Sequence, residues 1–367
     1  MRAPLYGEER ITGLHKNLDT LRVQETELTK DDYDLKMKSE NMLVVTIKAK
    51  RPSVDKVNDQ TNALMQSSIA SAATMYAADE LLIDSTMKSR NGVRQTGPFA
   101  AARVGKYDLD VRGDLETNVI SGLLGYAVNL QGSEIGAFVE MGHGTYDTKT
   151  AVASPLGKIR GDGKHNYVGL GVYGNYTTPW EWLHFTGYVK GGWLRNEFSA
   201  PIAGVSVDFD RTSNYWGAHL GMYGEVQAAE KIKNRTFLNY FYDGRESESY
   251  EASGSSAVAG PRFHFDGLNV HRVQAGSLFE YQHSSALRPY AAVTYEYAFK
   301  ADAEGSARDH IGTLAMNGTD LEGSTGILSL GWTFMNRAKT FEFDGGVNGY
   351  VGVRKGVSAQ LQAAWKF

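Results

Sequence analysis

The sequence predicts an all-β membrane fold, an antiparallel barrel of about twelve strands that crosses an outer membrane. Apolar and polar residues alternate with a period of two, through segments longer than the average strand of roughly five to six residues. Aromatic residues are abundant, with 20 Tyr, 15 Phe and 6 Trp beside 41 Gly, and aromatic girdles are typical of membrane barrels. Short connections alternate with long ones, which is the outer-membrane arrangement.

Composition excludes several classes of function. The formal net charge of -4 and the pI of about 6.2 provide no electrostatic footprint for nucleic acid. The absence of cysteine suits an exported protein. The apolar runs NMLVV (41–45) and ELLI (80–83) fall far short of the roughly 20 residues that a helical span needs. The start MRAPLYGEER lacks the apolar region of a signal peptide, so an exported protein would be represented here by a mature fragment.

The N-terminal segment predicts a hairpin. Two short alternating runs, DYDLKM (32–37) and NMLVVTIKA (41–49), flank a turn-like KSEN, which is the pattern of two paired strands. Two strands alone are marginally stable in water. We therefore expect this hairpin to belong to something larger.

Residues 57–90 predict a helix, because they contain no Gly or Pro and are rich in Ala, Ser, Met and Leu. Asp59 or Thr61 can cap its start, and Asn91-Gly92 ends it. Such a helix is roughly 45 Å long. Small residues in its middle leave two interpretations open: an amphipathic helix packed on a domain, or a narrow rod inside a channel.

From Gly97 onward the chain is a succession of alternating segments. The candidate strands are 97–110, 118–131, 133–148, 163–179, 181–197, 213–229, 231–244, 268–282, 286–300, 322–336, 340–353 and 355–367. The connections 131–134 and 178–181 are short. Long polar loops are predicted at 149–162, 198–212, 245–267 and 301–321.

One face of each strand is apolar, and the other carries Glu, Lys, His or Tyr among glycines. We expect the polar face to line a wet lumen, since a membrane barrel turns its apolar face to lipid. The predicted lumen-facing residues are Glu140, His184, Lys190, His219, Tyr223, Glu225 and Glu296. For the acids, pairing with basic side chains is favoured over catalysis.

Four segments are similar to one known family. They are GAFVEMGHGTYDT (136–148), LRPYAAVTYEYAF (287–299), LEGSTGILSLGWTF (321–334) and the closing GGVNGYVGVRKGVSAQLQAAWKF (345–367). In order and spacing they resemble the C-terminal barrel, or translocator domain, of autotransporters, the type V secretion proteins of Gram-negative bacteria. The resemblance covers 97–367.

The resemblance implies a domain organisation. Residues 1–56 would be the end of a β-helical passenger with its linker, 57–92 a linker with a helix in the pore, and 93–367 the barrel. The implied pore-helix residues are Asn62, Met65, Ser68, Ala72, Met75 and Leu82. The terminal alternation is similar to the signal read by the barrel assembly machinery, which would comprise Leu361, Ala363, Trp365 and Phe367.

The resemblance also implies a function and partners. The chain would be an outer-membrane translocator that anchors its own N-terminal passenger, of the virulence or adhesion type, and helps export it to the cell surface. Its partners would be outer-membrane lipid and lipopolysaccharide, the barrel assembly machinery and the passenger, with the barrel a monomer. Two alternatives stay open: an outer-membrane barrel enzyme, either protease or lipase, and a porin-like channel.

Catalytic motifs are absent from the sequence. It contains no HExxH, GxSxG, Walker or Rossmann pattern in context, and its nine His show no metal-ligand spacing. One autotransporter subclass cleaves its own linker with an Asn in the helix. Asn62 and Asn91 are present here, but the Asn-rich motif of that subclass is not. We therefore predict no enzyme activity, no catalytic or metal site and no cofactor.

Overall fold

The computed structural model of this chain describes residues 33–39, 42–47, 59–88, 96–130, 133–150, 158–202, 205–251, 262–308 and 313–366. The predicted helix end at Asn91-Gly92 and the terminal Phe367 lie outside the described residues. Among the helices described, none combines the length and the apolar character needed to cross a membrane.

The two N-terminal strands pair as the sequence predicts. Strands β1 (Tyr33–Ser39) and β2 (Met42–Ile47) are antiparallel. Leu35 lies opposite Val45, and Met37 lies opposite Leu43. The register therefore pairs the apolar positions of one run with those of the other.

The remaining strands are β3 (Gly97–Val111), β4 (Gly113–Leu130), β5 (Ser133–Lys149), β6 (Arg160–Thr177), β7 (Leu183–Ile202), β8 (Val205–Ala229), β9 (Ile232–Arg245), β10 (Glu248–Glu251), β11 (Arg262–Phe265), β12 (Leu268–Tyr281), β13 (Leu287–Ala303), β14 (Gly305–Arg308), β15 (Thr313–Ala315), β16 (Thr319–Asp320), β17 (Gly323–Met335), β18 (Phe341–Gly352) and β19 (Arg354–Trp365).

Twelve long strands close into an antiparallel barrel: β3 to β9, β12, β13 and β17 to β19. Neighbours in the chain pair with each other around the wall, and β19 pairs with β3, with Leu361 opposite Ala102. Closure supplies a ladder partner on both sides of every long strand, which a sheet needs in order to span lipid. The predicted fold class is confirmed.

Three of the predicted long loops are wrong in part, because they contain strands. Across 198–212, β7 and β8 continue as a paired ribbon in which Phe198 faces Phe209. The connections 245–267 and 301–321 contribute β10, β11, β14 and β15, which form a separate four-stranded sheet, here called the cap sheet. Their short alternating runs are stabilised by an aromatic core that sequence periodicity alone did not reveal.

A helix fills the lumen of the barrel. It begins with a 3-10 turn (Asp59–Thr61), continues as α1 (Asn62–Ile83) and ends in a π-helical turn (Asp84–Lys88). All 22 residues of α1 are buried, in contact with β3 to β7, β13 and β16. The surface-helix interpretation is therefore wrong, and the pore helix is confirmed. Thr61 occupies the N-cap position, but its side chain makes no capping hydrogen bond.

The helix has a defined direction through the barrel. The short connections after β4, β6, β8, β12 and β17 lie at one end of the barrel, and the connections after β5, β9 and β13 lie at the other. The Gln66 amide donates to the carbonyl oxygens of Arg112 and Lys149, at 2.8 and 3.1 Å, at the long-connection end. The Asn175 amide donates to the Thr86 carbonyl at 3.3 Å, near the short-turn end. The helix therefore starts at the long-connection end and finishes where β3 begins.

Candidate functional site in the lumen of the barrel

The outer wall carries a continuous apolar belt. On β13 it includes Val293 and Tyr295, and on β19 it includes Val357, Leu361 and Trp365, all exposed. The alternate residues of these strands turn inward and are polar, as at Gln360 and Gln362, which are buried. A lipid-facing exterior around a polar interior follows from the period of two.

The residues predicted to face the lumen have their side chains inside the wall. Six of the seven are buried: Glu140, His184, Lys190, His219, Tyr223 and Glu296. Glu225 is partly buried and forms ion pairs with Lys233 and Arg235. His184 stacks on Tyr223 with ring centroids 4.5 Å apart, and His219 stacks on Tyr188 at 5.1 Å.

The predicted pore-helix residues are also enclosed by the wall. Asn62, Met65, Ala72 and Leu82 have no more than 1% of their surface exposed, while Ser68 and Met75 are at 3%. Of these six, Ser68 accepts a hydrogen bond from the wall, from the Arg245 guanidinium at 2.7 Å. Tyr76, one residue beyond Met75, packs against the wall cations Arg272 and Arg354, whose guanidinium carbons lie 4.3 and 5.4 Å from its ring centroid.

Asp79 is the first of two adjacent helix acids that bind the wall. Its carboxylate lies 2.8 Å from Lys190 Nζ and accepts a hydrogen bond from the Tyr188 hydroxyl at 2.7 Å. The Arg272 guanidinium pairs with its other oxygen. Asp79, Lys190 and Arg272 have fully buried side chains. This carboxylate is therefore held by three donors from β7 and β12.

Glu80 is the second acid, and it binds a different part of the wall. Its two oxygens pair with the guanidinium groups of Arg103 and Arg354. The Tyr350 hydroxyl donates to Glu80 at 2.8 Å, and Arg103 also pairs with Asp84, one helical turn further on. Glu80 is thus held by β3, β18 and β19, the strands that close the barrel.

Wall acids complete this network. Glu140 accepts from Lys190 at 3.2 Å and from the Tyr215 hydroxyl at 2.6 Å. Glu296 bridges Arg272 and Arg354, at 2.9 and 3.0 Å. We call the four wall cations the ionic girdle; they are Arg103, Lys190, Arg272 and Arg354. A buried charge is tolerated only when it is paired and hydrogen-bonded, so girdle and helix acids depend on each other.

Sequence reasoning named Lys190 and Glu296 but missed the helix acids and the three arginines of the girdle. A signal was available, because 62–78 contains no charged residue and Asp79-Glu80 then follows. Two adjacent acids on a helix confined to a lumen need cationic partners on the wall. The identity of those partners could not be read from the sequence, since Arg354 and Glu80 are 274 residues apart.

The lumen is not filled uniformly. A small cavity of about 40 Å³ lies beside the last turn of the helix. Its lining includes the polar residues Asp84, Arg235, Asn239, Gln274 and Asn348. The helix therefore leaves a small gap towards β9, β12 and β18.

The long-connection end of the lumen is closed by a second core, which is aromatic rather than ionic. The cap sheet and the extended ribbon of β7 and β8 enclose Phe209, which stacks on Tyr250 with ring centroids 4.6 Å apart. Phe198 and Phe265 pack around this pair at 5.5 and 6.0 Å from Phe209. Burial raises the pKa of the Tyr250 hydroxyl well above its usual value, so this core stays uncharged. Aromatic packing of this kind excludes water from that end of the lumen.

Comparison with known proteins agrees with this geometry. The family model described as the autotransporter beta-domain matches residues 101–348. No curated protein matches the sequence.

Three solved structures share the fold at low sequence identity. The beta domain of the Bordetella autotransporter BrkA has a TM-score of 0.54 at 13% identity, covering 74% of this chain and 100% of that one. The translocator domain of NalP from Neisseria meningitidis has 0.61 at 12%, covering 83% and 99%. The transport unit of AIDA-I from Escherichia coli has 0.60 at 14%, also covering 83% and 99%.

Proposed function

This chain belongs to the autotransporter β-domain family, and we propose that it delivers the segment preceding its pore helix to the cell surface. Members of this family are outer-membrane barrels that export their own passenger, and the chain is a translocator of this kind rather than an enzyme.

The observation that carries the proposal is the direction of the helix. The helix starts at the long-connection end, where Gln66 binds carbonyl oxygens of the wall, and it ends where β3 begins. Outer-membrane barrels place long loops outside the cell and short turns in the periplasm. Whatever precedes Asp59 therefore leaves the barrel on the outer side, which supports surface delivery of the passenger.

We propose that residues 1–56 are the end of this passenger and its linker. The hairpin of β1 and β2 supports this assignment, since two paired strands alone are marginally stable in water. Stacked further strands of a β-helical passenger would stabilise it. Residues 57–92 would then be the linker with its pore helix, and 93–367 the membrane anchor.

Cysteine labelling in intact cells tests surface delivery, because the chain contains no cysteine. We expect Ser53→Cys to react with a membrane-impermeant maleimide on intact cells. Ser206→Cys, in the exposed long-connection ribbon, serves as the positive control, and Glu230→Cys, in the turn between β8 and β9, as the negative one. If Ser53→Cys reacts only after permeabilisation while Ser206→Cys reacts in intact cells, surface delivery is wrong.

We propose that the barrel assembly machinery inserts the chain by reading the terminal strand, from Leu361 through Ala363 and Trp365 to Phe367, among outer-membrane lipid and lipopolysaccharide. Support comes from the alternation of β19 and from its pairing with β3, which completes the wall of the barrel. Closure within one chain also supports a monomer. Deleting Phe367 should lower outer-membrane levels in cells far more than the stability of protein refolded in detergent. Equal losses in both measurements would contradict a role in recognition.

The alternative functions have less support. A porin-like channel needs an open lumen, whereas α1 occupies this one and the cap sheet covers one end. An enzyme of the wall or rim needs a nucleophile or a free acid pair, yet Glu140 and Glu296 are committed to ion pairs with Lys190, Arg272 and Arg354. Hydrolysis of peptides or lipids by the purified barrel would support the alternative that the barrel is an enzyme.

A further inference from the structure

We propose that the adjacent acids Asp79 and Glu80 are a stop signal that halts the chain at one depth and one rotation in the barrel. The proposal rests on the proposed function, since it assumes that the upstream chain has moved through the lumen. It assigns positioning roles to the two acids and to the ionic girdle that receives them.

The two carboxylates reach different sectors of the wall. Consecutive residues on an α-helix point about 100° apart, and Asp79 binds Lys190 and Arg272 on β7 and β12. Glu80 binds Arg103 and Arg354 on β3 and β19. One acid would fix the depth of the helix but leave it free to turn about the contact. Two acids bound to separate sectors fix its rotation as well.

The rest of the helix carries no charge that could stop a sliding chain. Residues 62–78 are uncharged, and their middle is rich in small side chains around Ile69. The hydroxyls of Ser67 and Ser71 donate to carbonyl oxygens of the helix itself, at Leu64 and Ser68. The Gln66 amide and the Ser68 hydroxyl do bind the wall, but hydrogen bonds in which both partners are ionised, as at Asp79 and Glu80, are the stronger ones.

A slide by one turn, about 5.4 Å, would break every ion pair between the helix acids and the girdle at once. It would bring Met75 and Tyr76, or Ile83 and Asp84, to the depth of Asp79 and Glu80. In the first case the four girdle cations would be left with two wall acids, Glu140 and Glu296, and in the second only one helix acid would replace two. Unpaired buried charges are strongly disfavoured, so the present depth is the one at which the chain stops.

The absence of cysteine allows the depth to be measured directly. A Cβ atom built on Gly144 of β5 would lie 3.3 Å from Thr74 Oγ1, the place that the sulfur of a cysteine at 74 would take, so cysteines at these two positions lie within bonding reach. Gly144→Cys with Thr74→Cys should therefore form a disulfide at the present depth. Gly144→Cys with Ala70→Cys or with Ala78→Cys reports a slide of one turn in either direction.

The decisive variant moves the acids along the helix by one turn. In the background Asp79→Ala, Glu80→Ala, Ile83→Asp and Asp84→Glu, the girdle should capture the new pair. We expect the disulfide with Gly144→Cys to shift from Thr74→Cys to Ala78→Cys, measured in the purified full chain by mass spectrometry of unreduced tryptic peptides.

Two further variants define the controls. With the neutral pair Asp79→Asn and Glu80→Gln, the disulfide should spread over positions 70, 74 and 78, because no depth is favoured. Ser71→Ala removes a hydroxyl that bonds only within the helix, so its disulfide should stay at position 74. A merely stabilising role for the acids would lower the melting temperature without changing the position of the disulfide.

A disulfide confined to position 74 in both the moved and the neutral variants would overturn the proposal. Heat-modifiable gel mobility identifies folded barrels, and if the moved variant does not fold, the isosteric neutral pair Asp79→Asn and Glu80→Gln decides by the same criterion. Failure of surface delivery has a different signature: Ser53→Cys would remain unlabelled on intact cells in the otherwise native chain, whatever the disulfide pattern.

Discussion

The belt and the long-connection end are built by the same strands with opposite polarity. On β7, Val189 and Trp193 face outward in the belt while Lys190 faces inward. A few residues further along the same strand, Arg195 is exposed and Phe198 is buried among aromatic rings. We call this second region the collar; it comprises 106–119, 143–150, 158–167, 194–202 and 206–215 with the cap sheet.

The difference shows where the solvent changes. In the belt the surroundings are lipid, so apolar side chains face outward and charges pair in the lumen. In the collar the surroundings are water, so charges face outward and apolar residues form a conventional core. The outward-facing side chains change from apolar to polar between Met141 and His143 on β5 and between Trp193 and Arg195 on β7. We expect the outer boundary of the membrane at these positions.

Removing the helix should have the largest effect, because it contributes to the interior of both regions. Deleting residues 57–90 takes the partners of the ionic girdle out of the lumen and Gln66 out of the collar. We expect single-channel conductance in planar bilayers to rise several-fold and thermal stability to fall. Unchanged conductance would mean that the cap sheet alone seals the barrel.

A cavity in the collar core should have the next largest effect. Phe209→Ala removes a buried ring that contacts Phe198, Tyr250 and Phe265, and such changes cost about 3–5 kcal/mol. We expect amide hydrogen exchange to accelerate in the cap sheet while the belt strands stay protected. Val189→Ala, on the lipid face of the belt, is the matched control and should leave exchange unchanged. Equal acceleration of exchange in the cap sheet and in the belt strands would contradict the distinction between the collar and the belt.

Charge on the belt tests the polarity of the terminal strand. Leu361→Arg places a cation on the lipid face, which costs about 2–4 kcal/mol near the bilayer midplane. Gln362→Arg is the adjacent inward position, opposite Asp344 on β18, and should be tolerated. Gln360 is a poorer control, since its amide oxygen accepts from Arg103. The folded fraction of each variant is measured by heat-modifiable gel mobility. Equal losses of folded protein in the two variants would refute the face assignment.

Charge on the outside of the collar should matter least. Arg195 donates to Asp210 through Nε at 2.7 Å, and both side chains are exposed. Solvent screens such pairs, so we expect Arg195→Ala to leave the melting temperature of the refolded barrel unchanged. A clear loss of stability would place this pair in lipid rather than in water and would move the boundary outward.

Much of the architecture was predictable from residues close together in the chain. Strand number, strand order and the lipid face of β13 and β19 follow from the period of two, since each side chain's face depends only on its immediate neighbours. The helix was predictable for the same reason, from the run without Gly or Pro between Asn62 and Ile83.

Only the tertiary structure decided the cap sheet and the ionic girdle. Alternation in 198–212 looks the same whether its apolar side faces lipid or a core, so the inversion at Phe198 and Phe209 needed the cap sheet above it. The partners of Glu80 are 23 and 274 residues away, on β3 and β19. They meet because the last strand closes on the first, and closure is a property of the whole barrel that no local stretch of sequence encodes.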